Sequence, residues 1–151
     1  MTIPTKFTGV LAYVSADAPP TYDAAGFVDA SVTYTLLSEV INFPEMGRVY
    51  TDIAYNTLAV RGTQHSKGTY DESEVAIELG AVRLDAGQII LKTARDSDAN
   101  YTYKFVHPNG EIDAFQALMT GLVNAGGDGN TTRAVTATVR IDHRGSIEIP
   151  A

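Results

Sequence analysis

The sequence predicts a mainly β fold with one flanking helix, and three observations lead there. Thr, Val and Ile number 17, 13 and 10, so 40 of the 151 residues are β-branched, and 8 Tyr and 5 Phe are spread among them. That mixture suits pleated, half-buried surfaces. The 13 Gly and 6 Pro fall mostly between apolar stretches, as turn punctuation does. The stretch TTRAVTATVRIDH alternates apolar and polar residues with the period of a strand. At 44% hydrophobic, the chain is long enough for one domain over residues 1–151 to bury a sizeable core without metals or crosslinks. Residues 1–30 are an amino-terminal segment and loop with no role assigned from sequence.

Residues 6–15 read as an opening extended segment, and Asp17, Pro19, Pro20 and Asp23 then make a loop. Residues 31–43, SVTYTLLSEVINF, are dense in β-formers, closed by Pro44 and Gly47, and read as one long strand. Residues 49–60, VYTDIAYNTLAV, read as a second. The short PEMGR interval predicts a hairpin pairing the two antiparallel. Residues 61–72, RGTQHSKGTYDE, hold two Gly and almost nothing apolar, and read as a 12-residue loop. Loops that long in compact domains are usually functional or disordered. Residues 73–79, SEVAIEL, alternate as a half-exposed strand.

The helix is expected over residues 86–95 within DAGQIILKTARD. Asp85 supplies the N-cap, Gln88 stands where a capping box needs it, and Lys92 and Arg95 lie in the last turn, where the dipole favours cations. Ile90, Leu91 and Ala94 form its apolar stripe. Gly87 costs about 1 kcal/mol against Ala, so tertiary contact must hold the helix in place. Residues 101–107 read as a strand before a Pro108, Asn109, Gly110 turn. Residues 111–125 and 131–143 are two long strand candidates joined by GGDGN.

Those two strands are two-faced. In residues 131–143, Val135, Ala137, Val139 and Ile141 share one face, and Ala134, Thr136, Thr138, Arg140 and Asp142 the other. In residues 111–125, Phe115, Ala117, Met119, Gly121 and Val123 oppose Ala114, Gln116, Leu118, Thr120, Leu122 and Asn124. A core face backed by a small, neutral-to-charged face suits the wall of a water-filled barrel. A one-sided sandwich sheet gives the same pattern and is the reading favoured on pattern alone.

Composition then narrows the function. Eleven Lys and Arg against 18 Asp and Glu give a formal charge of −7, which disfavours conventional nucleic-acid binding. Without Cys there is no disulfide framework, thiol catalysis or thiolate metal site. The apolar runs are too short for a bilayer, and the amino-terminal stretch is too short and polar for a secretory signal. The expectation is a soluble intracellular product with no membrane partner. His65, His107 and His143 belong to no metal-ligating motif, no Gly-x-Ser-x-Gly is present, and the pairs Asp71/Glu72 and Asp96/Asp98 lie outside any EF-hand loop. GGDGN joins strands rather than opening a helix, so it is no phosphate cradle. No enzyme and no cofactor is expected.

The order of these pieces resembles the major tail tube protein of long, non-contractile bacteriophage tails. The pieces are EVINFPEMG, VYTDIAYNTLAVRG, SKGTYDESEVAIEL, DAGQIILKTARD and the final FQALMTGLVNAGGDGNTTRAVTATVRIDHRGSIEIP, from about Ser31 to the end. The resemblance implies a sandwich-like or barrel-like tail tube fold whose long hairpins join those of neighbours in one continuous oligomeric β-barrel. It implies a homo-oligomer of stacked hexameric rings in the virion tail, made in the host cytoplasm. Its implied partners are a tape-measure protein, a tail terminator and distal tail proteins, with DNA passing through the lumen unbound.

By this resemblance residues 111–125 and 131–143 are two wall strands, with residues 31–43 and 49–60 the other pair. Gln116, Thr120, Thr136, Thr138, Arg140 and Asp142 are candidates to face the lumen, with Asp142 placed to offset Arg140. Gln64, His65, Ser66, Lys67, Gly68, Thr69, Tyr70 and Asp71 are the candidate inter-subunit loop. Six copies at −7 each give −42 per ring, and an acidic or neutral wall keeps phosphate contacts from accumulating. Two other readings remain open. One is a monomeric β-sandwich module binding a carbohydrate or protein through the 64–71 loop, and the other a related ring, a tail terminator or secretion-system tube.

Overall fold

Period-two segments that each need a covered face collect into one curled antiparallel sheet. The computed structural model describes residues 8–151, so Lys6 and Phe7 of the predicted opening strand lie outside the described residues. In chain order the elements are β1 (Leu11–Ser15), α1 (Ala24–Phe27), β2 (Thr35–Leu37), β3 (Val40–Asn42), β4 (Arg48–Tyr55), β5 (Gln64–Glu72), β6 (Glu74–Gly80), α2 (Ala86–Arg95), β7 (Tyr101–Val106), β8 (Ile112–Asn124), β9 (Ala134–Ile141) and β10 (Ile147–Ile149). The main sheet runs β2-β1-β7-β8-β9-β6-β3, with β10 added on β8, while among the described residues β4 and β5 pair only with each other.

Topology forces the curl. β2 and β3 hold opposite edges of a seven-strand path, yet only Ser38 and Glu39 separate them. Three Cα steps reach at most about 11 Å, whereas seven strands laid flat would be about 29 Å wide. The sheet therefore wraps until its edges approach. The long strand expected over residues 31–43 is broken here, because Glu39 adopts a left-handed φ of 62° and its carbonyl accepts a hydrogen bond from the Gly80 amide at 2.7 Å. The expected hairpin with residues 49–60 consequently does not form. β3 pairs with β6, Val40 opposite Leu79, and β4 ends at Tyr55 and pairs with β5.

Val75, Ile77 and Leu79 of β6, Ala137 and Val139 of β9, Phe115 and Ala117 of β8, Tyr103 and Phe105 of β7 and Val14 of β1 fill the concave core. The alternation read in β6 and β9 matches the burial found there. In β8 Phe115, Ala117 and Met119 are buried as expected, but Ala114 and Gln116 of the opposite face are buried too. Thr120 is an extra residue between the pairs Met119 with Val139 and Gly121 with Thr138, so the facing reverses beyond it. Leu122 packs against the core and Val123 is 63% exposed, opposite to the sequence expectation. β9 is also shorter than the strand predicted over residues 131–143.

Helix α2 forms where expected, with the Asp85 carboxylate accepting from the Gln88 amide at 3.2 Å. The capping box does not close. Gln88 turns inward, accepting from the Val82 amide at 3.1 Å and donating to the Gly80 carbonyl at 2.7 Å, which ties the helix start to the end of β6. Leu91 and Ala94 enter the core. Gly87 gives the tertiary contact its sequence demanded: a Cβ there would stand 2.6 Å from the Leu36 carbonyl oxygen, so the absence of a side chain seats the helix on β2.

Candidate assembly surfaces

Residues 61–72, expected as a loop, are mostly strand, β5. β4 and β5 form an isolated ribbon, with Tyr55 opposite Gln64, Ala54 opposite His65, Ile53 opposite Ser66 and Asp52 opposite Lys67. The candidate residues Gln64, His65, Ser66, Lys67, Gly68, Thr69, Tyr70 and Asp71 all belong to β5. Their sequence lacks alternating hydrophobicity because no core covers either face, so periodicity carried no strand signal. Every residue of β4 is exposed. Ile53 lies across Gly68, whose missing Cβ would stand 3.1 Å from the Ile53 Cδ1. The His65 Nδ1 is 2.9 Å from the Asp52 carboxylate, in solvent.

Among the described residues, the contacts that anchor this ribbon are at its base. Glu72 is buried and pairs with Arg48, the facing residue of β4. The Arg48 guanidinium lies 3.9 Å from the Tyr70 ring centre, and the Tyr70 hydroxyl donates to the His143 carbonyl at 3.0 Å. Tyr50 meets Tyr70 edge-on at 5.5 Å and carries the Lys67 ammonium 4.8 Å from its ring centre. From base to tip the ribbon offers solvent large apolar side chains: Val49, Ile53 and Tyr55 on β4, and Leu58 and Val60 at the tip. None of these five was picked out from the sequence. Their exposure became legible only once the ribbon was seen to leave the sheet.

Thr136, Thr138 and Arg140 share the convex face of β9, beside Glu78, Ala76 and Glu74 of β6 in register. Thr120, at the β8 bulge, is exposed and its hydroxyl donates to the Thr138 carbonyl at 3.3 Å. Arg140 reaches Asp71 at 3.5 Å and Glu74 at 3.6 Å, joining this face to the ribbon base.

Asp142 does not offset Arg140. β9 has ended at Ile141, and a turn through Gly145 (φ 78°) folds Asp142 inward, where it accepts from the Arg144 Nε and lies 3.2 Å from the His143 Nδ1. Burial pushes its carboxyl up, but the Arg144 hydrogen bond and the Arg144 and His143 charges together hold it below the usual carboxylate range. Gln116 is likewise enclosed, at 6% exposure. Its Oε1 accepts from Arg144 at 3.2 Å, and its backbone amide donates to the Tyr22 hydroxyl at 3.2 Å. Tyr22 in turn donates to the Gly145 carbonyl. Gln116 and Asp142 thus belong to a polar cluster under the 142–145 turn, and the open part of β8 begins at Leu118.

Each histidine lies beside one carboxylate: His65 with Asp52, His107 with Asp113 and His143 with Asp142. Among the described residues no group of three or more His, Asp and Glu is arranged to hold a metal ion. No described helix is long and apolar enough to cross a membrane.

No protein-family model matches the chain, and no curated protein matches it in sequence. Solved structures do. A chain of the anti-feeding prophage baseplate, from a 6-fold symmetrised reconstruction, is 10% identical with a TM-score of 0.68, covering 99% of this chain and 97% of its own. A chain from the PVC sheath/tube terminator of an extracellular contractile injection system is 11% identical with a TM-score of 0.67, covering 99% of both. The SPP1 tail tube is 12% identical with a TM-score of 0.67, covering 98% of this chain and 80% of that one. The fold is therefore one shared by phage tail tubes and contractile injection systems, and the resemblance read from the sequence holds at the level of fold.

Proposed function

We propose that the chain is the structural subunit of a phage tail tube, assembling into hexameric rings that stack around a lumen through which DNA is ejected. The observation that carries this reading is the β4–β5 ribbon. An isolated two-stranded hairpin is marginal in water, and this one holds exposed Val49, Ile53, Tyr55, Leu58 and Val60 away from the body, with both outer edges unpaired among the described residues. A contiguous apolar surface with open strand edges is the form of a protein–protein contact. Neighbouring copies of the chain cover it.

The convex face of β9 and β6 is the lumen wall in this reading. Thr136, Thr138 and Ala76 keep it small, and Glu74 and Glu78 outweigh Arg140. Such a face holds no cationic stripe on which phosphates could lodge. A tape-measure protein fills the lumen before ejection, and terminator and distal tail proteins close the two ends. The chain acts in the virion tail, with no catalytic role and no cofactor.

The test is a chain carrying both Ile53→Asp and Leu58→Asp. Both positions are exposed, so the folded subunit should keep its far-ultraviolet circular dichroism. Sedimentation velocity should show single subunits where the unmodified chain forms rings or tubes. A doubly substituted chain that still assembles would remove the ribbon from the assembly and this reading with it.

A further inference from the structure

The chain is acidic overall, yet three of its exposed cations without an ion pair are gathered in one place. At the Asn124 end of β8, Arg83 from the β6–α2 connection, Lys92 of α2 and Arg133 ahead of β9 line one groove with Val82 and Val135. All three cations are exposed. Among the described residues none of them forms an ion pair, while Asp85 is occupied as the α2 N-cap, Asp96 with Arg95, and Asp128, which lines a pocket with Arg133, with the Asn130 amide and the Thr131 hydroxyl.

The other end of the same strand has the opposite character. Where β8 begins beside β10, Glu111 and Glu148 line an open groove with Ile112 and Ile149. Both carboxylates are exposed and lack a cationic partner among the described residues. Asp113 of this groove is held by His107 at 2.7 Å, and the neighbouring cation Lys104 lies over the rings of Tyr13 and Tyr34. The ends of β8 are about 40 Å apart along the strand, several times the screening length of about 8 Å at physiological salt. One copy cannot satisfy its own patches.

We infer that the Arg83, Lys92 and Arg133 groove receives the Glu111 and Glu148 end of a second copy, making a head-to-tail contact between subunits. This deepens the tube reading and rests on it. Unlike patches at opposite ends of one element make a heterologous contact, and such a contact repeats until a ring closes or continues as a filament. The exposed Val82 beside the cations meets Ile112 and Ile149, so apolar burial adds affinity while the charges set register and partner choice.

Charge exchange tests it. One chain carries Arg83→Glu with Arg133→Glu, a second carries Glu111→Arg with Glu148→Arg, and a third carries all four substitutions. Sedimentation velocity and negative-stain images read their assembly, and circular dichroism reads their folding. Each double variant should assemble about tenfold less than the unmodified chain, and the fourfold variant, whose patches are again complementary, should recover. A salt titration of the unmodified chain reads the same contact without substitution, with assembly falling as salt rises to about 0.5 M. Double variants that assemble normally, a fourfold variant that fails to recover, or assembly indifferent to salt would each overturn the contact while leaving the tube reading standing. An unmodified chain that stays monomeric would overturn both.

Discussion

Two tyrosines of the interior show how residues of one type can act oppositely. Tyr103 is fully buried, stacked on Phe115 with ring centres 5.6 Å apart, and its hydroxyl has no hydrogen-bond partner among the described residues. Burial pushes its pKa above the usual tyrosine value. An unpaired buried hydroxyl costs about 1–3 kcal/mol. Tyr103→Phe should therefore stabilise the fold by about 1 kcal/mol, read as a higher urea midpoint at unchanged slope. Tyr22→Phe should instead lower the midpoint, because the Tyr22 hydroxyl bridges the Gly145 carbonyl and the Gln116 amide. Two midpoints that move together would contradict this account. In the sequence Tyr103 stands in an alternating strand and Tyr22 in a loop, and neither position tells what its hydroxyl meets. Their difference comes from which strand ends and turns lie beside them, information that no local pattern carries.

At the scale of elements, strands buried on one face were legible, and of the two ribbon strands only β4, rich in Val, Ile and Tyr, was read as one. The Val75, Ile77, Leu79 alternation gave β6, and Val135 to Ile141 gave β9, because a core on one side imposes period two. β5 reads as QHSKGTYDE and was missed, since backbone pairing with β4 and the Arg48, Tyr70 and Tyr50 contacts hold it instead. The β8 bulge escaped for a related reason. One inserted residue reverses the face of everything after it, and Thr120 carries no mark of being the insertion. Gly87 gives an element-scale prediction. Propensity alone would have Gly87→Ala strengthen α2 by about 1 kcal/mol. The Leu36 carbonyl, 2.6 Å from the new Cβ, and the Leu37 Cδ2 at 2.7 Å reverse the sign. The variant should melt below the unmodified chain, and a higher melting temperature would show that the helix is not seated on β2 as described.

For the whole molecule, the sequence conveyed β architecture, the flanking helix and a resemblance whose fold the structural neighbours share. It did not convey that β2 and β3 close the sheet from opposite edges through a kink at Glu39. It also did not convey that part of the chain leaves the body as a ribbon with no core of its own. Both are properties of long-range pairing. The polar cluster that took Gln116 and Asp142 inward arises in the same way, from segments far apart in the chain meeting under the 142–145 turn. A subunit built so has open edges, an exposed apolar ribbon and ends of opposite charge, three features that further copies can satisfy together. The central claim is that they do. Negative-stain electron microscopy of the purified chain at rising concentration tests it most directly: the account predicts closed rings with a hollow centre and sixfold symmetry that stack into tubes, and globular monomers at every concentration would contradict it.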